Sequence, residues 1–149
     1  MSTLLDTNIL TRSAQPGHPV HATAVNAVDT LRRRGEKLFL VPQNLYEFWV
    51  VATRPIAQNG LGLTPAQVRI EIEQLKRLFV LLDEMPSIFP EWEQLVTNHA
   101  VSGKNAHDTR LVAAMHVHSI DQLLTFNVAD FQRYATITVL EPMAVVATP

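Results

Sequence analysis

The sequence predicts an α/β fold with a parallel sheet of about five strands, and two patterns support this prediction. Short apolar segments suited to buried strands alternate with longer segments whose apolar residues recur at helical spacing. Parallel strands need long crossover connections, which helices of this length supply. The 149 residues contain no internal repeat and no linker-like segment, so we expect a single domain spanning 1–149.

In the first half of the chain, breaks and caps separate the predicted elements. Thr64, followed by Pro65 and Gln67, has the pattern of a capping box with proline in the first helical turn. The helix before it has almost no polar face, so we expect it to be buried on several sides. The predicted elements are a strand at 1–7 followed by a helix-like segment, a helix from about Val20 to Arg34, a strand at 38–41, and helices at 43–53 and 64–79.

The second half of the chain continues the alternation. The turn at 102–105 separates two helices, and a loop with a short helical turn occupies 127–134. Residues after position 140 are expected to form a tail. The predicted elements are a strand at 79–82, helices at about 90–99 and 106–117, and strands at 122–126 and 138–140.

Composition limits the class of protein. Apolar residues make up 47% of the chain and charged residues 17%, which is typical of a globular domain. The net charge of −2 shows no basic bias, so a nucleic-acid partner would have to be held by a local patch or by metal ions. The absence of cysteine excludes disulfides and thiolate metal sites. Without a signal pattern or an apolar run near the ~20 residues of a membrane span, we expect a cytoplasmic protein with no membrane partner.

Three carboxylates occupy positions where an unpaired charge is costly. Asp6 ends a buried strand, Glu47 is the only charge in its apolar helix, and Asp108 shares a helical stripe with apolar residues. Taken singly, each has a structural explanation: Asp108 as a helix cap, for example, or Glu47 as a partner of Arg54 or Lys37. Taken together, they favour a divalent cation, and hard oxygen ligands suit Mg²⁺ or Mn²⁺.

Four segments of the chain also resemble a known family. Leu4–Leu10, the helix around Glu47, Asn105–Ala114 and Leu124–Phe131 are similar to the four signature segments of the PIN-domain nucleases, which include the VapC-type toxin ribonucleases. The segments follow the family order and span essentially the whole chain. The resemblance implies a three-layer α/β/α fold with a central parallel sheet, and a metal-dependent phosphodiesterase site at one end of that sheet.

The resemblance assigns site residues one position at a time. Asp6, Glu47 and Asp108 match the first three acidic positions and are expected to hold Mg²⁺, for which Mn²⁺ could substitute. The fourth position usually carries an aspartate, but here it holds Asn127, and Asp130 lies three residues further on. An asparagine can ligate a metal through its carbonyl oxygen but brings no charge. Both residues are therefore candidates, with Asn127 placed first by its position.

Other side chains are expected to support this site. Thr7 and Asn8 are expected to hold the first carboxylate or a water on the metal, and Thr125 to do the same from the end of strand four. Arg110 lies one turn from the site and is expected either to pair with Asp108 or to bind a phosphate. One or two bound ions would polarise a phosphate oxygen and activate water, so no nucleophilic side chain is needed.

The resemblance therefore implies an endoribonuclease that acts as the toxin of a type II toxin–antitoxin pair. Its expected partners are an RNA substrate, an antitoxin and a second copy of the chain. A non-catalytic RNA- or protein-binding module on the same fold is the alternative, supported by Asn127. An aspartyl-phosphate phosphatase is disfavoured, because that chemistry usually has a second aspartate where this chain has Asn8.

Overall fold

A five-stranded parallel sheet forms the centre of the computed structural model, which describes residues 1–148. The strands are β1 Ser2–Leu5, β2 Lys37–Leu40, β3 Val80–Leu81, β4 Gln122–Leu124 and β5 Thr138–Leu140. Their order in the sheet is β3-β2-β1-β4-β5, and every neighbouring pair is parallel. The first strand is central, so its carboxyl end lies in the middle of one sheet edge.

Helices connect the strands, as parallel pairing requires. They are α1 Thr7–Ser13, α2 His21–Arg33, α3 Pro42–Thr53, α4 Pro65–Leu78, α5 Ile88–Asn98, α6 Asn105–Val117, α7 Val128–Phe131 and α8 Pro142–Ala147, and a 3-10 turn covers Ile56–Gln58. In the part of the chain that the structure describes, no helix is both long and apolar enough to cross a membrane.

Two hydrophobic cores cover the two faces of the sheet. Successive residues of a strand point to opposite faces, so Leu5 packs in one core and Leu4 in the other. The first core includes Leu31 of α2 and Phe48 of α3. The second includes residues of α5, α6 and α7, among them Met115. The α/β class and the three-layer arrangement predicted from the sequence are therefore confirmed.

The C-terminal segment differs from its prediction. Residues 142–147 form helix α8 instead of a tail, with Pro142 in the first turn and Val145 buried against α2. Arg34 secures the end of this helix by donating from Nη2 to the carbonyl of Val145 at 3.4 Å and to that of Thr148 at 2.8 Å. The tail prediction was wrong because a helix of six residues is stable only through tertiary packing, here against α2, and the local sequence does not show that packing.

Helix α3 is less buried than its composition predicts. Leu45, Phe48 and Ala52 share the face that packs into the core. On the other side, Tyr46 is 63% exposed and Val50 is 55% exposed. The prediction of burial on several sides was wrong, because the neighbouring helices cover one stripe of α3 and leave its other apolar side chains in solvent.

Candidate functional site

The carboxyl end of the central strand places Asp6 in the middle of the sheet edge. Its backbone N–H donates to the carbonyl of Leu124 at 2.9 Å, which continues the pairing of β1 with β4. The carboxylate then caps α1 by accepting from the N–H of Thr7 at 2.7 Å. The observed strand is therefore shorter than the one predicted at 1–7, because β1 ends at Leu5 and α1 begins at Thr7.

The side chain of Asp6 is held on both of its oxygens. Thr125, which follows β4, donates from Oγ1 to Oδ2 of Asp6 at 2.7 Å, and Asn8 donates to the same oxygen at 3.4 Å. Asp6 is only 6% exposed. The adjacency of β1 and β4 thus brings together residues that are 119 positions apart in the chain.

Glu47 reaches the same place from helix α3. The hydroxyl of Thr7 donates to Oε1 of Glu47 at 2.6 Å, and the amide of Gln43 donates to Oε2 at 3.2 Å. Thr7 therefore contacts both acidic residues, through its backbone N–H to Asp6 and through its side chain to Glu47. Asn44 supports this arrangement by donating to the carbonyl of Leu5 at 3.0 Å.

Asp108 enters from the first turn of α6. The positive end of the helix dipole favours a carboxylate at this position. Together with Asp6, Glu47 and Asn127, Asp108 lines a cleft of about 880 Å³. Asp130 does not line this cleft, but it lines an adjoining cavity of about 410 Å³ that Asn127 shares.

The electrostatics show that these carboxylates influence one another. Burial raises the pKa of Asp6 from 3.8 to about 6, and the charges of Glu47 and Asp130 add to the increase, against the hydrogen bonds from Thr125 and Thr7. Burial raises the pKa of Asp108 to about 7, with further contributions from the other three acidic residues and an opposing one from Lys104. Within residues 1–148, no ion pair includes any of the four acidic side chains.

The donor set suits a hard divalent cation. Carboxylate and amide oxygens surround the cleft, and a bound cation would offset both the burial and the mutual repulsion that raise the pKa values of Asp6 and Asp108. Within residues 1–148, however, no three histidine, cysteine, aspartate or glutamate side chains are grouped as the ligands of one ion. Glu47 is held by Thr7 and Gln43, so ligation by all three acidic residues would require its side chain to leave these partners.

Arg110 does not pair with Asp108, which was one of its two predicted roles. Its Nη2 contacts Oε1 of Glu84 at 2.7 Å, and its Nη1 donates to Oε1 of Gln43 at 3.1 Å. Glu84 follows β3, far from Arg110 in sequence, so the spacing within α6 could not identify this partner. The role of Arg110 as a phosphate ligand stays a prediction.

Gln43 and Asn44 are site residues that the sequence reasoning missed. Gln43 is 5% exposed and bridges α3 to α6 by donating to the carbonyl of His107 at 2.7 Å. Asn44 is fully buried. The available signal was two amide side chains at the start of an otherwise apolar helix, with Gln43 four residues before Glu47 and on the same face.

A parallel sheet covered by helices on both faces, with an acidic cleft at the carboxyl edge of its central strands, has the architecture of the PIN fold. No protein-family model matches the sequence, and no curated protein matches it. Comparison with solved structures finds VapBC2 from Rickettsia felis bound to a DNA fragment from their promoter, at a TM-score of 0.71 and 14% identity, covering 95% of this chain and 98% of that chain.

Two further structures are similar over most of the chain. One is a toxin-antitoxin complex from Klebsiella pneumoniae, with a TM-score of 0.61 and 18% identity, covering 94% of this chain and 97% of that chain. The other is VapC20 from Mycobacterium tuberculosis, a sarcin-ricin loop cleaving toxin, with a TM-score of 0.58 and 18% identity, covering 81% of this chain and 86% of that chain. At these identities the likeness shows the fold, and the predicted PIN-like fold is thereby confirmed.

Proposed function

We propose that this chain is a divalent-metal-dependent endoribonuclease that hydrolyses RNA phosphodiester bonds as the toxin of a type II toxin–antitoxin system. One observation carries the proposal. Three acidic side chains from three separate elements line one cleft, and within residues 1–148 none of them forms an ion pair with a basic side chain. Burial, together with their shared charge, raises the pKa of Asp6 and Asp108. A structural role alone would favour pairing each carboxylate with an arginine or lysine.

The chain's residues have distinct tasks in this proposal. Asp6, Glu47 and Asp108 would hold Mg²⁺ or Mn²⁺, and such a cation supplies Lewis-acid stabilisation of the phosphate and a water of lowered pKa. Thr125 and the Thr7 N–H fix the orientation of Asp6. Because α6 begins at the cleft, its N-terminal dipole also favours the anionic substrate.

The fourth position supports a second candidate function. Asn127 lines the cleft without adding a charge, while Asp130 acts on Asp6 and Asp108 only through its field. A site with one fewer charged ligand binds a cation more weakly. This observation favours a catalytically weak or silent module that binds RNA or protein, and the cleavage assay below separates it from the enzyme.

The proposed partners follow from the similar structures. A VapBC assembly and a toxin-antitoxin complex share this fold over nearly the whole chain, which supports an antitoxin as a partner of this protein. VapC20, described as cleaving the sarcin-ricin loop, supports RNA as the substrate. Homodimerisation and a cytoplasmic location complete the proposal.

The test is RNA cleavage by the wild-type protein in Mg²⁺ or Mn²⁺ and in EDTA, beside two variants. Asp108→Asn removes one acidic side chain of the cleft, and Asp29→Asn is the matched control on the exposed side of α2. We expect cleavage by wild type and Asp29→Asn in either cation, and none in EDTA or by Asp108→Asn. Equal rates for Asp108→Asn and wild type would show that the assignment is wrong, whereas no cleavage by wild type favours the binding module.

A further inference from the structure

The cleft carries two arginines at a distance from its carboxylates. Arg12 lies six residues after Asp6 along α1, and Arg54 lies seven residues after Glu47 at the end of α3. At 1.5 Å per helical residue, the backbone of each arginine lies roughly 9 to 11 Å along the helix from that of the acidic residue. Both arginines line the same cleft as the carboxylates, and in the described part of the chain neither forms an ion pair with them.

A packed turn fixes Arg54 in place. The N–H of Gly62 donates to the carbonyl of Arg54 at 2.9 Å, and the N–H of Leu61 donates to that of Val51 at 3.1 Å. A Cβ on Gly60 would lie 1.9 Å from the backbone oxygen of Arg54, so only glycine allows this close approach. The backbone that carries the Arg54 side chain is thus pre-organised at the rim of the cleft.

The two arginines also keep their charge available. Arg12 donates from Nη1 to the neutral amide of Gln15 at 2.8 Å, which orients the guanidinium without neutralising it. No ion pair in the described part of the chain includes Arg12 or Arg54. Arg110 differs from them, because Glu84 already occupies its guanidinium. Partly exposed guanidinium groups in a cleft match the geometry of phosphate oxygens.

An exposed aromatic ring completes the surface. Tyr46 precedes Glu47, lines the same cleft and is 63% exposed. Proteins that bind single strands combine basic side chains along the backbone with aromatic rings on which bases stack, because an unpaired base presents its face. A duplex would hide those faces from Tyr46.

We infer that Arg12 and Arg54 bind phosphates flanking the scissile bond of single-stranded RNA, while Tyr46 stacks on an adjacent base. The inference rests on the proposed function and adds to it the residues of this chain that hold the substrate's backbone and stack on its bases. The chain's net charge of −2 makes this local pair of arginines the means by which an acidic protein retains a polyanion.

Fluorescence anisotropy in EDTA tests the inference, with a labelled mixed-sequence single-stranded RNA and the same sequence as a duplex. The cleft variant is Arg12→Ala/Arg54→Ala, and the control is Arg33→Ala/Arg69→Ala, which removes two exposed arginines outside the cleft. We expect the cleft variant to bind the single strand roughly tenfold more weakly and the control to bind like wild type. The slope of log K against log salt should fall by about 1.4 in the cleft variant, the value for two lost single-strand contacts.

Other outcomes would overturn the inference. Equal losses in the cleft and control variants would show a non-specific charge effect, and equal binding of duplex and single strand would refute the role of Tyr46. If wild type does not bind the RNA at all, the inference is wrong, and an acidic protein segment becomes the expected ligand of the two arginines. Hydrolysis of bis(p-nitrophenyl) phosphate in Mg²⁺ keeps the two proposals separate, because this small diester tests the acidic residues without needing Arg12 or Arg54.

Discussion

The raised pKa of Asp6 predicts that the metal-free protein loses stability as the pH rises. The folded state binds the proton of Asp6 more tightly than the unfolded state, because the pKa of Asp6 is about 6 in the folded protein, whereas the ordinary value of an aspartate side chain is 3.8. Between these values the unfolded chain releases a proton that the folded chain keeps, so the free energy of unfolding falls with increasing pH. Asp108, with a pKa of about 7, acts in the same direction.

The size of the effect follows from the burial of Asp6. An increase in pKa from 3.8 to about 6 corresponds to about 3 kcal/mol, since one pKa unit is worth ~1.4 kcal/mol. About 2 kcal/mol of this falls between pH 4.5 and pH 8, because part of the window lies below pH 4.5. Solvent screens the partly exposed carboxylate of Asp108, so it contributes less to the pH dependence than its raised pKa alone would suggest.

Urea unfolding in EDTA at pH 4.5 and pH 8 measures the effect for wild type and Asp6→Asn. Any constant cost of the substitution cancels when the pH-dependent loss of one protein is compared with that of the other. We expect the loss between the two pH values to be smaller in Asp6→Asn by about 2 kcal/mol. Equal pH dependence in the two proteins would refute the conclusion that Asp6 is a buried carboxylate of raised pKa.

Two substitutions test the supports of the site. Gln43→Leu leaves Glu47, Arg110 and the carbonyl of His107 without their amide partner. We therefore expect the free energy of unfolding in urea to fall by about 1–3 kcal/mol and kcat on RNA to fall as well. An unchanged kcat would contradict the role of Gln43 in positioning Glu47. Gly60→Ala places a methyl group against the Arg54 backbone, so we expect a loss of at least about 2 kcal/mol, whereas Gly17→Ala, with open space around it, serves as the control. A Gly60→Ala variant as stable as Gly17→Ala would show that the turn relaxes freely.

Local sequence patterns were sufficient to predict the alternation of strands and helices and the acidic positions. Asp6 was identifiable because a carboxylate directly follows an apolar strand, and Glu47 because it is the single charge in an apolar helix. That they meet in one cleft follows from β1 lying at the centre of a parallel sheet whose carboxyl edge also receives α3 and α6.

Features that depend on tertiary contacts were not predictable. The choice of Glu84 over Asp108 as the partner of Arg110 depends on how the segment after β3 passes α6. The exposed face of α3 and the helix α8 depend on which surfaces neighbouring helices cover, and periodicity alone carries no information on that. Gln43 was missed because an amide near a helix start is also common as a solvated residue.

Isothermal titration calorimetry of Mg²⁺ and Mn²⁺ into the protein without RNA distinguishes a cation site at Asp6, Glu47 and Asp108 from a set of structural charges. We expect saturable binding of either cation by wild type, release of protons as the carboxylates of raised pKa bind the cation, and loss of binding in Asp108→Asn. Absence of binding at millimolar Mg²⁺ or Mn²⁺, or equal binding by Asp108→Asn and wild type, would contradict the cation site.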